Sequence, residues 1–447
     1  MISRWSDAEA KGLDGLDLLV YGSRLIGAEP SLVVWGGGNT SLKVEERDFR
    51  GRTARVLRVK GSGSDLKSVA RKDFPGVRMD EILALLERSD MGDQEMVDYL
   101  AHSLQEMGGS RPSIETLLHG FLPHEAVIHT HADAIVSLSN TDRCREVIQE
   151  VYGKDVVSIP YRRPGFLLSK DVANALRAHP GATAVILEKH GTITWGQTVK
   201  EAYLRTIDLI TQAEEAIEAR AKGRARFGGA RLNPLPAGER REGALVVAPF
   251  LRGLVSRDKR AVLHFDDAPD VLEFVGSKEA GALSQVGPAT PDHTIYTKRV
   301  ACFVECDHPR DADRVKTALR EAVKRFVADY TRYFEAHRQE GMTLFDPFPR
   351  VILVPGLGMF TSGKDKRTAL IADDIYHHTI SVLGAASAIG SFVSLTPKDA
   401  FDVEYWPLEL YKLTLVPPEK ELARRMPLVT AGASRIGKEV ARRLAHE

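Results

Sequence analysis

Apolar positions recur at helical spacing soon after Ser6. Leu13, Leu16, Leu19 and Val20 share one face and predict a helix. The period then shortens. Leu32-Val33-Val34-Trp35 reads as a strand broken by Gly36-Gly37-Gly38, and Ser41–Val44 and Arg55–Lys60 read as further strands. Amphipathic spacing predicts helices over Asp80–Arg88 and Gln94–Met107. Ser113 stands as an N-cap, with Glu115 and Thr116 in the first turn. Ala126–His131, Val156–Pro160 and Thr183–Leu187 are expected strands. Thr198–Ala221 is an expected long helix, opened by Thr198 with Glu201 at capping-box spacing.

The periodicity lapses between Arg220 and Arg241, a stretch rich in Arg, Gly, Ala and Pro that marks a domain boundary. Alternation resumes in a second α/β unit. Its expected strands are Ala261–Phe265, Val300–Cys306, Val351–Val354 and Phe392–Leu395, and its expected helices are Lys278–Gln285, Ala312–His337 and Lys366–Ala388. Leu428–Glu447 reads as one strand, a glycine turn and one helix. The expected partition is therefore 1–225, 245–420 and a short 427–447 segment.

Composition narrows the partners. A chain of 447 residues exceeds one ordinary core, which agrees with two domains. Lys plus Arg equals Asp plus Glu, at 61 each, so nothing argues for nucleic acid or an anionic membrane. A small phosphorylated substrate needs only local charge and stays open. Cys144, Cys302 and Cys306 are scattered, which makes no disulfide framework and fits a reducing cytoplasm. Met1–Asp7 has no apolar core, so no secretory signal is expected there. The uncharged stretch Thr379–Pro397 reads as a buried helix plus a strand rather than a membrane span.

The candidate chemistry starts at His129-Thr130-His131, at the end of an apolar strand. Residues i and i+2 of a strand point to one side, so both imidazoles can reach one point, as zinc requires of nitrogen ligands. His190 follows the apolar run Ala184–Leu187 and precedes Gly191, which makes it the candidate third ligand. An H-x-H pair alone fits hydrogen-bonded strand histidines better than a metal site.

Arg111-Pro112-Ser113-Ile114-Glu115-Thr116-Leu117-Leu118-His119, Ala126-Val127-Ile128-His129-Thr130-His131-Ala132-Asp133 and Glu188-Lys189-His190-Gly191 occur in the order and spacing of the class II aldolase/adducin family. Gly37-Gly38-Asn39-Thr40-Ser41 and Lys60-Gly61-Ser62-Gly63 resemble its two upstream loops. The resemblance covers Ser6 to Ala221. It implies an α/β, three-layer αβα domain and a divalent metal, zinc by analogy, on His129, His131 and His190. It implies Glu115 as catalytic acid/base, since breaking a carbon–carbon bond beside a carbonyl needs Lewis-acid stabilisation and a proton carrier. His119 is read as structural. Gly38, Asn39, Gly61, Ser62 and Ser113 fall where the family binds substrate phosphate, with glycine loops offering backbone N–H groups. Lys60-Gly61 replaces the usual Thr-Gly, which leaves phosphate and carboxylate both open. The implied activity is cleavage of a ketose 1-phosphate to dihydroxyacetone phosphate and an aldehyde such as lactaldehyde. Pentulose-phosphate 4-epimerisation and a metal-free adducin-like module are the alternatives. A homo-oligomer, such as a tetramer, is the implied assembly.

Two further motifs are weighed. Gly358–Lys364 nearly spells the phosphate loop G-x-x-x-x-G-K, but Asp365 stands where Ser or Thr would hold magnesium, so a nucleotide triphosphatase is not expected. Cys302, Cys306 and His308 lack a fourth ligand and are read as core. Asp292-His293 and His377-His378 stay unassigned. Thr290-Pro291-Asp292-His293, the Gly356–Lys364 loop and Glu404-Tyr405-Trp406-Pro407-Leu408-Glu409 resemble the middle part of the fusion family that joins a rhamnulose-1-phosphate aldolase to an alcohol or lactaldehyde dehydrogenase. Pro427–Gly437 resembles the opening of a short-chain dehydrogenase, although Ala431 and Arg435 replace usual glycines and no Tyr-x-x-x-Lys pair occurs. A lone βα unit, an incomplete Rossmann start, makes no switch-point crevice, so no NAD(P) binding is expected of it.

Overall fold

The computed structural model describes residues 1–257, 259–415 and 419–446. Contacts group the chain into two units. The first joins Met1–Arg226 to two later segments, Ala289–Asp292 and Ser381–Lys412. The second joins Phe227–Pro288, His293–Ile380 and Leu413–Glu447.

The first unit is built on a seven-stranded sheet. Its strands are β1 (Asn39–Arg47), β2 (Thr53–Val59), β3 (Gly76–Arg78), β4 (Ala126–Thr130), β5 (Val156–Ile159), β6 (Ala184–Leu187) and β7 (Gly191–Gly196), in the order β3-β2-β1-β4-β7-β6-β5. All neighbours are antiparallel except β5 and β6. The central strands β4 and β7 are buried along their whole length, so both faces must be covered. Alternation divides the side chains between two layers. Ile128 and Ile186 pack with Leu19, Ile135 and Tyr203 from the helices Gly15–Gly27, Asp133–Ser139 and Val199–Ala221. Val127 and Val185 pack instead with Leu118, Leu168 and Val172 from the helices Thr116–Phe121 and Phe166–Ala178. This is the expected αβα sandwich. Thr198 caps the long helix as expected, its hydroxyl accepting the Glu201 N–H.

Local geometry overrides several sequence expectations. Leu32–Trp35 makes turns, not a strand: Trp35 and Gly36 both adopt positive φ, while Leu32 and Val33 bury as core plugs. Asp80–Arg88 divides into Met79–Ala84 and a 3-10 turn at Leu85–Glu87. The next helix stops at His102, because Leu104 leaves to bridge Val77 of β3. Strand β7 and the helices Asp133–Ser139, Cys144–Tyr152 and Phe166–Ala178 are elements of this unit that the sequence reading did not predict.

In the second unit, β8 (Val262–Asp266), β9 (Cys302–Phe303), β10 (Val351–Val354) and β11 (Gly358–Gly363) form a sheet in the order β8-β11-β10-β9. The helices Ala237–Leu254 and Ala312–His337 supply Val247, Leu251, Val315 and Leu319 to the core around Ile352, Val354 and Phe360. Asp311 caps the longer helix by accepting from the Asp313 and Arg314 N–H groups. Cys302 and Cys306 are core residues. The G-x-x-x-x-G stretch is no phosphate loop: it is β11, fully buried and laddered antiparallel to both β8 and β10. Val300–Cys306 pairs only at Cys302–Phe303. Phe392–Leu395 makes a single bridge, to Thr141 within the first unit. The expected strand at Leu428 is absent. Leu428 is exposed and finds no ladder partner among the described residues, and only the helix Arg435–His446 forms there. Among the described residues, no helix is long and apolar enough to cross a membrane.

Candidate metal centre and its cleft

The position of each histidine follows from the sheet. His129 lies in β4, opposite Asn39 of β1 and Ile193 of β7. His131 follows two residues later and turns its ring to the same side. His190 closes the tight connection from β6 to β7, after Lys189, which adopts φ 60°. The next residue has to be glycine. A Cβ on Gly191 would sit 2.2 Å from the Thr130 carbonyl oxygen and 3.0 Å from the His131 ring. Gly38 meets the same demand at the start of β1. It adopts φ +64°, and a Cβ there would lie 2.7 Å from the His129 carbonyl oxygen.

The three rings stand in a nearly equilateral triangle, with centroids 4.8, 4.9 and 4.9 Å apart and ring planes steeply inclined. The outer nitrogens of two rings have partners. His129 Nδ1 lies 3.0 Å from the Thr192 carbonyl oxygen, and His131 Nδ1 lies 3.2 Å from Asp292 Oδ1. A carbonyl can only accept, so His129 carries its proton on Nδ1. Both contacts turn Nε2 lone pairs inward, the arrangement found behind metal-binding imidazoles. The His129 and His131 Nε2 atoms are 3.0 Å apart. At that distance either a His131 protonated on both nitrogens donates from Nε2 to His129, or a cation lies between the two lone pairs. Zinc ligands at ~2.0–2.1 Å and tetrahedral angles stand about 3.3 Å apart, so the cluster fits such an ion. Burial lowers the His129 pKa and takes His190 down to about 3, which keeps both rings neutral and able to ligate. Burial also opposes the charge on His131, but Asp292 outweighs it and raises that pKa.

Glu115 lies at the N-cap of Thr116–Phe121 and is buried. Ser113 is not the N-cap that the sequence suggested: it stands two residues before it, where its hydroxyl accepts the Glu115 N–H. Glu115 Oε1 has no hydrogen-bond partner and faces His129 Nε2 at 3.5 Å and His190 Nε2 at 3.6 Å. Its other oxygen, Oε2, accepts from Asn39 Nδ2 at 2.6 Å. Asn39 Oδ1 in turn meets His119 Nε2, and His119 Nδ1 meets the Ser41 hydroxyl at 2.7 Å. Burial drives the His119 pKa down to about 3, so this ring is neutral. One proton arrangement satisfies the whole line: Ser41 donates to His119, His119 to Asn39, and Asn39 to Glu115. His119 is thus structural in a specific sense, since it fixes which end of the Asn39 amide faces the carboxylate.

Gly38, Asn39, Gly61, Ser62 and Ser113 all line one narrow cleft together with Glu115, His131 and His190. Their donors are less free than glycine loops suggest. The Gly61 N–H donates to the Asp73 carbonyl and the Ser62 N–H to the Arg111 carbonyl. The Ser62 hydroxyl donates to Pro112, and the Asn39 amide is committed to Glu115 and His119. Positive charge comes instead from Lys60 and Lys412, which line the same cleft. Lys60 is buried, with Nζ donating to Ser64 at 2.7 Å and Gly36 at 3.3 Å, and burial with Lys412 nearby brings its pKa down to about 8.

Sequence reasoning missed Asp292, Trp406, Glu409 and Lys412. Asp292 is held by the Thr290 hydroxyl at 2.7 Å and supports His131. Trp406 donates to Asp93, and Glu409 pairs with Lys412 at 2.6 Å. The only signal for them was motif resemblance at Thr290–His293 and Glu404–Glu409, which says nothing of where those segments fold.

A sequence model described as the class II aldolase and adducin N-terminal domain matches residues 17–217, and one described as the second domain of class II aldolases matches residues 242–413. A Bacillus subtilis (strain 168) protein named as an uncharacterized oxidoreductase, YuxG, is 44% identical over 445 residues, 99% of this chain and 65% of that protein. The chain therefore spans just under two thirds of that relative's length. The N-terminal class II aldolase domain of a conserved protein from Thermoplasma acidophilum is 47% identical, over 48% of this chain and 99% of its own, with a TM-score of 0.46. An L-fuculose-1-phosphate aldolase from Thermus thermophilus is 18% identical, over 45% of this chain and 95% of its own, with a TM-score of 0.31.

Proposed function

The chain belongs to the class II aldolase family, and on that premise we propose that it is a zinc-dependent carbon–carbon lyase. It splits a ketose 1-phosphate, such as rhamnulose 1-phosphate, to dihydroxyacetone phosphate and an aldehyde such as lactaldehyde. The observation that carries this reading is the partnerless Glu115 Oε1, held 3.5 and 3.6 Å from two inward-facing imidazole nitrogens. A carboxylate in that place is a base aimed at whatever the three histidines hold.

His129, His131 and His190 hold the metal, which when bound supplies Lewis-acid stabilisation for the charge that develops beside the substrate carbonyl. Glu115 moves the proton: Oε1 takes the proton that leaves the substrate hydroxyl as its carbon becomes the aldehyde and gives it to the carbon left with the electron pair of the broken bond, and the reverse direction runs the same transfers backwards. Asn39 keeps Oε2 occupied, so that Oε1 does this work. Lys60 and Lys412 attract the anionic end of the substrate into the cleft, and the buried walls exclude water. The cleft measures about 50 Å³, too small for a ketose phosphate, so entry requires its lining to open.

The test is a panel of ketose 1-phosphates given to zinc-loaded protein and scored for dihydroxyacetone phosphate. One substrate should release triose phosphate and aldehyde in equal amounts, with loss of activity on chelation. A fully metal-loaded protein that cleaves none of the panel would overturn the reading.

A further inference from the structure

We propose that the second unit carries a divalent transition-metal site of its own, with Asp266, Asp373 and His377 as ligands. Asp266 ends β8, while Asp373 and His377 are four residues apart on one face of the helix Lys366–Ser387. One ligand atom from each lies within 4.8 Å of the others. His377 Nε2 is hydrogen-bonded to Asp266 Oδ2 at 2.5 Å and lies 3.9 Å from Asp373 Oδ2, so an ion bound here displaces the proton between His377 and Asp266 and releases it to water.

The surroundings have the supports that such a site needs. Asp270 Oδ2 lies 2.6 Å from His377 Nδ1, which orients the ring so that Nε2 faces the two carboxylates. On β8, His264 shares a side with Asp266. Its Nε2 is 3.6 Å from Asp373 Oδ2, while its Nδ1 meets Lys366 Nζ at 2.6 Å. An ammonium can only donate, so His264 carries its proton on Nε2 and acts as a donor to Asp373, not as a ligand.

Asp373 is the independent sign that something is absent from the cluster. It is 6% exposed, and its Oδ1 is buried without a hydrogen-bond partner. A buried carboxylate oxygen without a partner is unfavourable unless a proton or cation neutralises it. A dication supplies the neutralising charge. One imidazole and two carboxylates suit zinc, manganese or iron(II) better than calcium, which takes six or more oxygens. His377 and Asp266 are partly exposed, which leaves an entry path and room for water to complete the coordination.

The test counts zinc in the intact chain. Protein stripped by chelator is dialysed against micromolar zinc chloride, and bound metal is measured by mass spectrometry. The wild type should hold two ions per chain. The Asp373→Asn/His377→Gln variant should hold one, His190→Ala should hold one, and the combination none. Where the double substitution unfolds the chain, Asp266→Asn alone serves, and anomalous scattering from a zinc-soaked wild-type crystal locates both ions directly. One ion in the wild type that vanishes in His190→Ala would overturn the second site and leave the first intact. Two ions lost only with His190→Ala would overturn it as well.

Discussion

The two units assemble histidine clusters by opposite means. In the first, the backbone does the work: a strand presents His129 and His131 on one side, and a tight hairpin adds His190. All three proposed ligand atoms are imidazole nitrogens, almost wholly withdrawn from water. In the second, one helical turn and a strand end bring together two carboxylates and one imidazole, with an edge open to solvent. The difference decides what each can do. Around an all-nitrogen cluster one oxygen of a nearby carboxylate, Glu115 Oε1, stays uncommitted and can move protons. In the second cluster the carboxylates are themselves the ligands, and Asp270, the next carboxylate, is taken up by His377 Nδ1. The first arrangement suits chemistry and the second suits holding an ion.

Several substitutions break or sharpen that contrast. His190→Ala has the largest expected effect: the first site loses its ion and turnover falls to background, while any ion of the second unit remains. Metal counting alongside a triose-phosphate assay checks both halves. Full metal content and activity in this variant would remove His190 from the centre. Glu115→Gln tests the separation of binding from chemistry. Metal content should be unchanged and kcat should fall ~10²–10⁴-fold, the usual worth of a positioned acid/base. A near-normal rate would move proton transfer to another group. Asp292→Asn tests whether the outer contact on His131 sets ligand strength. Zinc affinity at the first site should weaken ~10–100-fold by competition with a chromophoric chelator. An unchanged affinity would make that contact incidental.

The contrast also explains what sequence could reveal. That the three histidines meet was legible from two sources: alternation on a strand puts His129 and His131 on one side, and the resemblance of the motif at Glu188–Gly191 added His190. The helix Ala312–His337 was legible through its period and its Asp311 cap. Asp292, Trp406, Glu409 and Lys412 were not. They reach the cleft only because Ala289–Asp292 and Ser381–Lys412 fold with residues far away in sequence, and no local pattern encodes that return. Strand β11 was misread because glycines at both ends of a buried strand mimic a loop motif. The glycine loops of the first unit misled in a subtler way. They were expected to offer N–H groups to an anion, but the structure commits those of Gly61 and Ser62 to neighbouring carbonyls.

The smallest expected effect belongs to Ser41, at the far end of the line that reaches Glu115 through His119 and Asn39. Its hydroxyl is the donor that obliges His119 Nδ1 to accept, and this places the ring proton on Nε2. Without it the other tautomer becomes available. His119 Nε2 would then face Asn39 Oδ1 with a lone pair, and the amide would relieve the clash by turning its oxygen toward Glu115. That outcome sets two acceptors against each other beside the catalytic carboxylate. A hydrogen bond is worth ~0.5–1.5 kcal/mol net, which corresponds to about 2–10-fold in rate. Ser41→Ala should therefore lower kcat within that range while KM and bound zinc stay at wild-type values. A merely structural role would lower the melting temperature and leave kcat per folded molecule unchanged. That result would uncouple the line from Glu115 and leave His119 as packing alone.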